Sequence, residues 1–298
     1  MQSPAAFTHL DLVRLHEQAF GRHWHAGRPP VLAALPADAP VCAVFSPHPD
    51  DEAISGALAW RLRHECGWRV VNVAVTLGSR PDRRAARWAE AQACCDHLGF
   101  ELQAASGVPG TGLEGVRPAD AHSRSAPWQA AVTAAVGLLQ RIQPRLLICP
   151  HELDGHDAHI GTSLLARQAV SLSGLPLVDV MLSEYWNTQL RPQLAVGLQA
   201  TDVATLMDAL SLHVGEVSRH PYQCMLPAWF LDSARRGAER VGTPGSPALP
   251  FHMASLYGWQ RWQADQWQDM PPALWPPGVS EGSLKMGFGG PEVLPWMV

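Results

Sequence analysis

The chain has 298 residues, 47% of them hydrophobic and 16% charged, with a formal net charge of -5. That is enough apolar material for a large core without covalent staples. The mild negative charge and the lack of a basic block exclude a polyanion-binding surface, so nucleic acid is not an expected partner. No stretch has the apolar length of a membrane span, and the Met-Gln-Ser-Pro start lacks the charged-then-apolar layout of a signal peptide, so a cytoplasmic protein is expected. The six cysteines (Cys42, Cys66, Cys94, Cys95, Cys149 and Cys224) show no Cys-x-x-Cys spacing and read as reduced thiols in a core.

In chain order, residues 9–24 predict an amphipathic helix, with Leu10, Val13, Leu15 and Phe20 among charges, followed by a Pro/Ala-rich connector over 29–40. Residues 41–46 form a short apolar run of the kind a buried parallel strand needs, and 53–65 read as a helix. A strand over 69–76 leads into a helix over 83–98 that stops at Gly99, and a third strand is expected near 101–106. Residues 107–127 form a Gly/Pro-rich loop long enough to expect a function of its own. Then come a helix near 128–141, an apolar strand over 145–149, a polar loop over 150–158 and a helix over 160–171. The alternation predicts a Rossmann-like α/β fold, a mostly parallel sheet flanked by helices. Past residue 184 it weakens, and the tail holds Trp259, Trp262, Trp267 and Trp275, which are expected mostly to pack rather than to stack on a ligand. The organisation predicted is a helix and connector over 1–40, a metal-binding core over 41–184 and an accessory region over 185–298 that completes or covers it.

Ligands of such sheets sit beyond the carboxyl ends of the strands, and two polar loops fall there. The first reads His48-Pro49-Asp50-Asp51-Glu52. Acidic residues at a helix start are accounted for by capping and the helix dipole alone. The chemical reading is that His48 and Asp51, three apart across a tight turn, face one cation while Asp50 works on its water. The second loop, 151–159, carries His151, His156, His159 and three acids within nine residues, a density that packing does not explain. Two ligands from one loop and one from the other make a three-ligand site with open positions, as a catalytic metal needs.

With these motifs the chain resembles the LmbE-like or PIG-L-type zinc-dependent de-N-acetylases, which include glucosaminyl-phosphatidylinositol, mycothiol-pathway and bacillithiol-pathway deacetylases. The resemblance rests on the Pro-His-Pro-Asp-Asp-Glu string, a downstream Gly-His-x-x-His at a helix start, Thr76-Leu77-Gly78, and Arg87-x-x-Glu90 with Leu98-Gly99; it covers residues 41–175. It implies that His48, Asp51 and His159 bind the metal and that Asp50 is the general base. It further implies that His156, taken as protonated, stabilises the oxyanion or protonates the leaving amine. Glu52 is placed behind the ligands. The family often has an acid immediately before the last histidine, where this chain has Ala158, with Asp157 one position earlier. His213-Val214-Gly215-Glu216 only loosely resembles a His-x-Ser-Gln pattern.

The expected activity is hydrolysis of an N-acetyl or other N-acyl group from an amino-sugar-type conjugate, with zinc as cofactor and Fe2+, Co2+ or Mn2+ as alternatives. Arg80, Arg83, Arg84 and Arg87 stand near the expected mouth and suit an anionic substrate group, although a solvated helix face or an Arg87–Glu90 pair explains them equally. A hydrolase of a non-sugar amide or ester and a non-catalytic metal-binding scaffold stay open as alternatives. The scaffold reading is weakened by Asp50, for which it has no use, and a nucleotide-binding reading by the lack of a glycine fingerprint. The sequence leaves the oligomeric state open, homo-oligomers included.

Overall fold

The computed structural model describes residues 8–22 and 24–278. Its elements in chain order are α1 (His9–Phe20), β1 (Val41–Ser46), α2 (Asp51–Ile54), α3 (Ala57–Glu65), β2 (Arg69–Ala74), α4 (Arg84–Leu98), β3 (Glu101–Ala104), α5 (Pro118–Ser123), α6 (Ala126–Ile142), β4 (Leu146–Pro150), α7 (Asp157–Leu172) and β5 (Leu177–Ser183). There follow β6 (Leu194–Gly197), α8 (Ala200–Ser211), α9 (Val214–Val217), α10 (Tyr222–Arg240), β7 (Ala254–Gln263), β8 (Gln266–Asp269) and β9 (Ala273–Trp275). Among the described residues no helix is long and apolar enough to cross a membrane.

Five strands pair in parallel in the order β3-β2-β1-β4-β5. β1 shows why both faces are covered: Cys42 and Val44 lie in one hydrophobic cluster, Ala43 and Phe45 in the other. The first cluster takes side chains from α3, α4, α8 and α10, such as Leu58, Leu62, Leu98, Leu206 and Phe230. The second takes Trp128, Ala135 and Leu138 from α6 and Leu165 and Ala169 from α7. This is the α/β architecture expected, with the strand order reversing between β1 and β4, where such folds place their ligands.

The C-terminal segment extends the same sheet. β7 runs antiparallel to β5, β6 antiparallel to β7, and β9 parallel to β6, with β8 turning back on β7. The four tryptophans of this segment pack: Trp259 Nε1 donates to Asp179 Oδ1 at 2.8 Å, Trp262 and Trp267 lie 5.3 Å apart, and Arg61 lies over Trp275.

Two element boundaries differ from the sequence pattern for identifiable reasons. The predicted helix over 53–65 is broken into α2 and α3, because the Tyr257 hydroxyl enters the ladder, donating to Ser55 O at 2.8 Å and accepting from Leu58 N at 3.1 Å. The first helix stops at Phe20, with Gly21 as its C-cap, rather than at 24; its start is held by a reciprocal Thr8–Asp11 cap.

Candidate metal centre and cleft

The carboxyl ends of β1, β4 and β5 lie side by side, with Pro150 opposite Ser183 in the register. The loops that follow therefore converge. The β1 loop delivers His48, Asp50 and Asp51; the β4 loop delivers Asp154, His156 and His159; the β5 loop delivers Tyr185 and Trp186. Of these side chains, all but Asp154 and His159 border a cleft of about 220 Å³ whose other wall is Arg87, Glu216, Arg219, His220 and Tyr222.

His48, Asp51 and His159 each bring one donor atom to within 4.8 Å of the others. His48 Nδ1 lies 3.6 Å and His159 Nε2 3.5 Å from the same oxygen, Asp51 Oδ2. For metal bonds of about 2.1 Å in a tetrahedral site, neighbouring donors stand about 3.4 Å apart, so the spacing fits a cation of that size. The His159 Nε2 atom is buried with no hydrogen-bond partner, although its other nitrogen, Nδ1, faces Asp154 Oδ1 at 3.1 Å. A carboxylate behind the far nitrogen aims a histidine ligand and raises its basicity. Two imidazoles and a carboxylate are a donor set that suits zinc and the later divalent transition metals.

The charges in this group tune one another. Burial alone would raise the Asp51 carboxyl, but the His159 and His48 imidazoles more than offset it and hold it at about 2. Burial alone would lower His159, and the Asp51 and Asp154 carboxylates push it up instead. Asp50 goes the other way: burial and the adjacent Asp51 carboxylate hold it well above the usual carboxylate range, with Arg87 opposing. Asp50 also takes a φ of 119°, in the left-handed region that a non-glycine residue enters at a cost of about 1–3 kcal/mol.

His156 is the N-cap of α7, and its Nδ1 accepts the Ala158 amide at 3.3 Å. Burial and the His48 and His159 imidazoles lower its affinity for a proton. Both effects favour the neutral ring, and with Nδ1 accepting, the hydrogen of that form belongs on Nε2. The carboxylate that the sequence pattern seeks beside these histidines is Asp154, wholly buried against His159, whereas Asp157 is exposed in the first turn of α7. His151 is turned to a structural task, with Nε2 3.0 Å from Asn187 O. Glu52 is wholly buried and accepts both the Asp50 amide at 3.0 Å and His213 Nε2 at 2.8 Å. Arg87 donates to Pro49 O and faces Glu216, not Glu90; Glu90 accepts the Gly215 amide. Arg80 pairs with Asp82 on the surface and Arg84 with Glu114, while Arg83 lies 4.0 Å from Glu216.

Residues 43–170 match the family model described as PIG-L: GlcNAc-PI de-N-acetylase. The two loops that build the candidate metal centre both fall inside the PIG-L match, whereas Tyr185, Trp186 and the α9 wall lie beyond it. No curated protein matches the chain. Among solved structures, the N,N'-diacetylchitobiose deacetylase of Pyrococcus horikoshii superposes with a TM-score of 0.53 at 16% identity, covering 86% of this chain and 94% of that one. The zinc-inhibited form of teicoplanin deacetylase Orf2 gives 0.53 at 16%, covering 76% and 99%. The 4-carboxy-2-hydroxymuconate hydratase of Pseudomonas putida gives 0.52 at 17%, covering 74% and 95%. At such identities the likeness is one of fold, and the same fold carries both deacetylases and a hydratase. The choice of chemistry lies with the site.

Proposed function

We propose that this chain is a metal-dependent hydrolase that removes an N-acyl group, acetyl by preference, from an amino-sugar-type conjugate. The observation that carries the reading is the cluster of His48, Asp51 and His159 with a buried, strained Asp50 at its side, where His48, Asp50 and Asp51 line the cleft. The PIG-L match and the deacetylases among the structural neighbours support the same reading.

His48, Asp51 and His159 would hold the cation, zinc by preference, which supplies Lewis acidity and acidifies a water molecule. Asp50, which neither pairs with a histidine nor caps a helix through its side chain, is the residue left to accept that water's proton. The water oxygen bonds to the acyl carbon, the carbon–nitrogen bond breaks, and the proton held on Asp50 passes to the departing nitrogen, leaving a carboxylic acid and an amine, which ionise to carboxylate and ammonium in water. His156 acts as a neutral donor through Nε2 rather than as an imidazolium, directing a hydrogen bond at the oxygen or nitrogen on which charge develops. TIM-type sites use a neutral histidine in the same way. Trp186, 53% exposed and stacked 6.0 Å from His156, gives the conjugate an apolar surface beside the reacting bond.

The test is acetate release from a panel of N-acetylated amino sugars by metal-loaded, chelator-treated and Asp50→Asn protein. Release should require metal and fall by on the order of 100- to 10,000-fold in Asp50→Asn with metal content unchanged. Near-normal turnover by that variant would remove Asp50 as the base.

A further inference from the structure

The peptide unit joining Pro49 to Asp50 has two polar atoms, and a charged side chain sits on each. Arg87 Nη2 donates to the Pro49 carbonyl at 3.1 Å, and the Asp50 amide donates to Glu52 Oε2 at 3.0 Å. Rotation of this one plane changes ψ of Pro49 and φ of Asp50 together. A clamp on both ends therefore fixes the 119° φ and, with it, the direction of the Asp50 side chain.

The two clamping side chains are themselves held from a single place. His213 Nε2 donates to the second Glu52 oxygen at 2.8 Å, with both side chains wholly buried, and Glu216 Oε1 lies 3.6 Å from Arg87 Nε. His213 is the N-cap of α9 and Glu216 its third residue, a spacing of three that puts both on one side of a helical turn. The turn is seated firmly: the Gly215 amide donates to Glu90 Oε1 at 2.9 Å, and a Cβ at Gly215 would run into the Arg83 guanidinium. His213 and Glu216 lie more than 160 residues from Asp50 in sequence; the fold brings them to the two supports of one peptide.

We propose that His213 and Glu216 are positioning residues, acting through Glu52 and Arg87 to lock the Pro49–Asp50 peptide so that Asp50 stands ready as the base. The inference rests on the role given to Asp50 above. His213 has no exposed surface and reaches no substrate, so any effect it has on turnover passes through Glu52.

The experiment compares His213→Leu, which cannot donate, with His213→Gln, whose amide can, in full-length metal-loaded protein. Two readouts are taken: the crystal structure at Asp50, and kcat and KM with N-acetylglucosamine as the probe. In the leucine variant the Asp50 φ should leave the left-handed region and kcat should fall on the order of 10- to 100-fold with KM unchanged, while glutamine restores both. An unaltered φ in His213→Leu, or equal kcat in the two variants, overturns the proposal. Should His213→Leu not fold, Arg87→Met against Arg87→Lys asks the same question from the carbonyl end. The two readings separate cleanly, since full turnover by Asp50→Asn refutes the base while the φ of Asp50 speaks only to the clamp.

Discussion

Two places in this molecule bury charge, and they do it in opposite ways. Arg61 on α3 has no exposed surface, and all five of its N–H donors are used: two on Glu65, at 2.8 and 2.6 Å, and three on the carbonyls of Gly197, Trp275 and Pro276, at 2.9 to 3.0 Å. The candidate metal centre instead gathers His48, Asp51 and His159, with a buried His159 nitrogen that has no hydrogen-bond partner, beside an Asp50 carboxyl whose proton affinity burial raises. An unpaired buried polar atom costs about 1–3 kcal/mol. A cluster whose valences close on themselves secures the fold, here by tying the C-terminal strand edge to α3. One whose donor atoms converge with valences open is suited to hold a cation.

The contrast can be broken or sharpened by mutation. The largest effect expected is from His159→Ala, which should abolish stoichiometric metal and turnover together while leaving the fold intact; metal retained at one per chain would take His159 out of the ligand set. Arg61→Met should do the reverse, lowering unfolding stability by about 3–5 kcal/mol in denaturant titrations while the folded fraction keeps its kcat. Asp154→Asn leaves the ligands in place but weakens the support behind His159, so metal affinity by competition with a chelator should fall about 10- to 100-fold.

The smallest effect concerns pH. Burial would raise the Glu216 carboxyl, but Arg87, Arg219 and Arg83 more than offset it and hold it below its ordinary 4.5. Its stabilising contribution is therefore present at neutral pH and lost as pH falls through the folded-state value. The advantage of the wild type over Glu216→Gln in thermal melts should shrink between about pH 5 and about pH 3, and an advantage that grows on acidification would reverse the sign.

What the sequence reveals and what it hides follows from distance along the chain. The parallel half of the sheet is legible because β1, β2, β4 and β5 are largely apolar runs between helical patterns. His48, Asp50, Asp51, His156 and His159 are legible because each loop carries its donors within a few residues. Asp154 sits in the same polar loop, but nothing local says that it, rather than Asp157, turns inward against His159. The His213-x-x-Glu216 pair is weak as a pattern, since its partners are Glu52 and Arg87, and only the fold brings α9 to them. Tyr185, Trp186 and Tyr222 read as ordinary packing aromatics until the cleft gives them a wall to form. The break between α2 and α3 depends on Tyr257, some 200 residues away, which no helical periodicity can announce. β6, β8 and β9 are only four, four and three residues long and the C-terminal strands join the sheet in mixed directions, so no regular strand–helix alternation announces them.

The most direct test of the central claim is a metal titration of chelator-treated protein, following bound zinc and acetate release from N-acetylated amino sugars in the same samples. Release that rises in proportion to bound metal and saturates at one ion per chain, with His159→Ala neither binding nor releasing, is the predicted result. Undiminished release by the metal-free protein would contradict it.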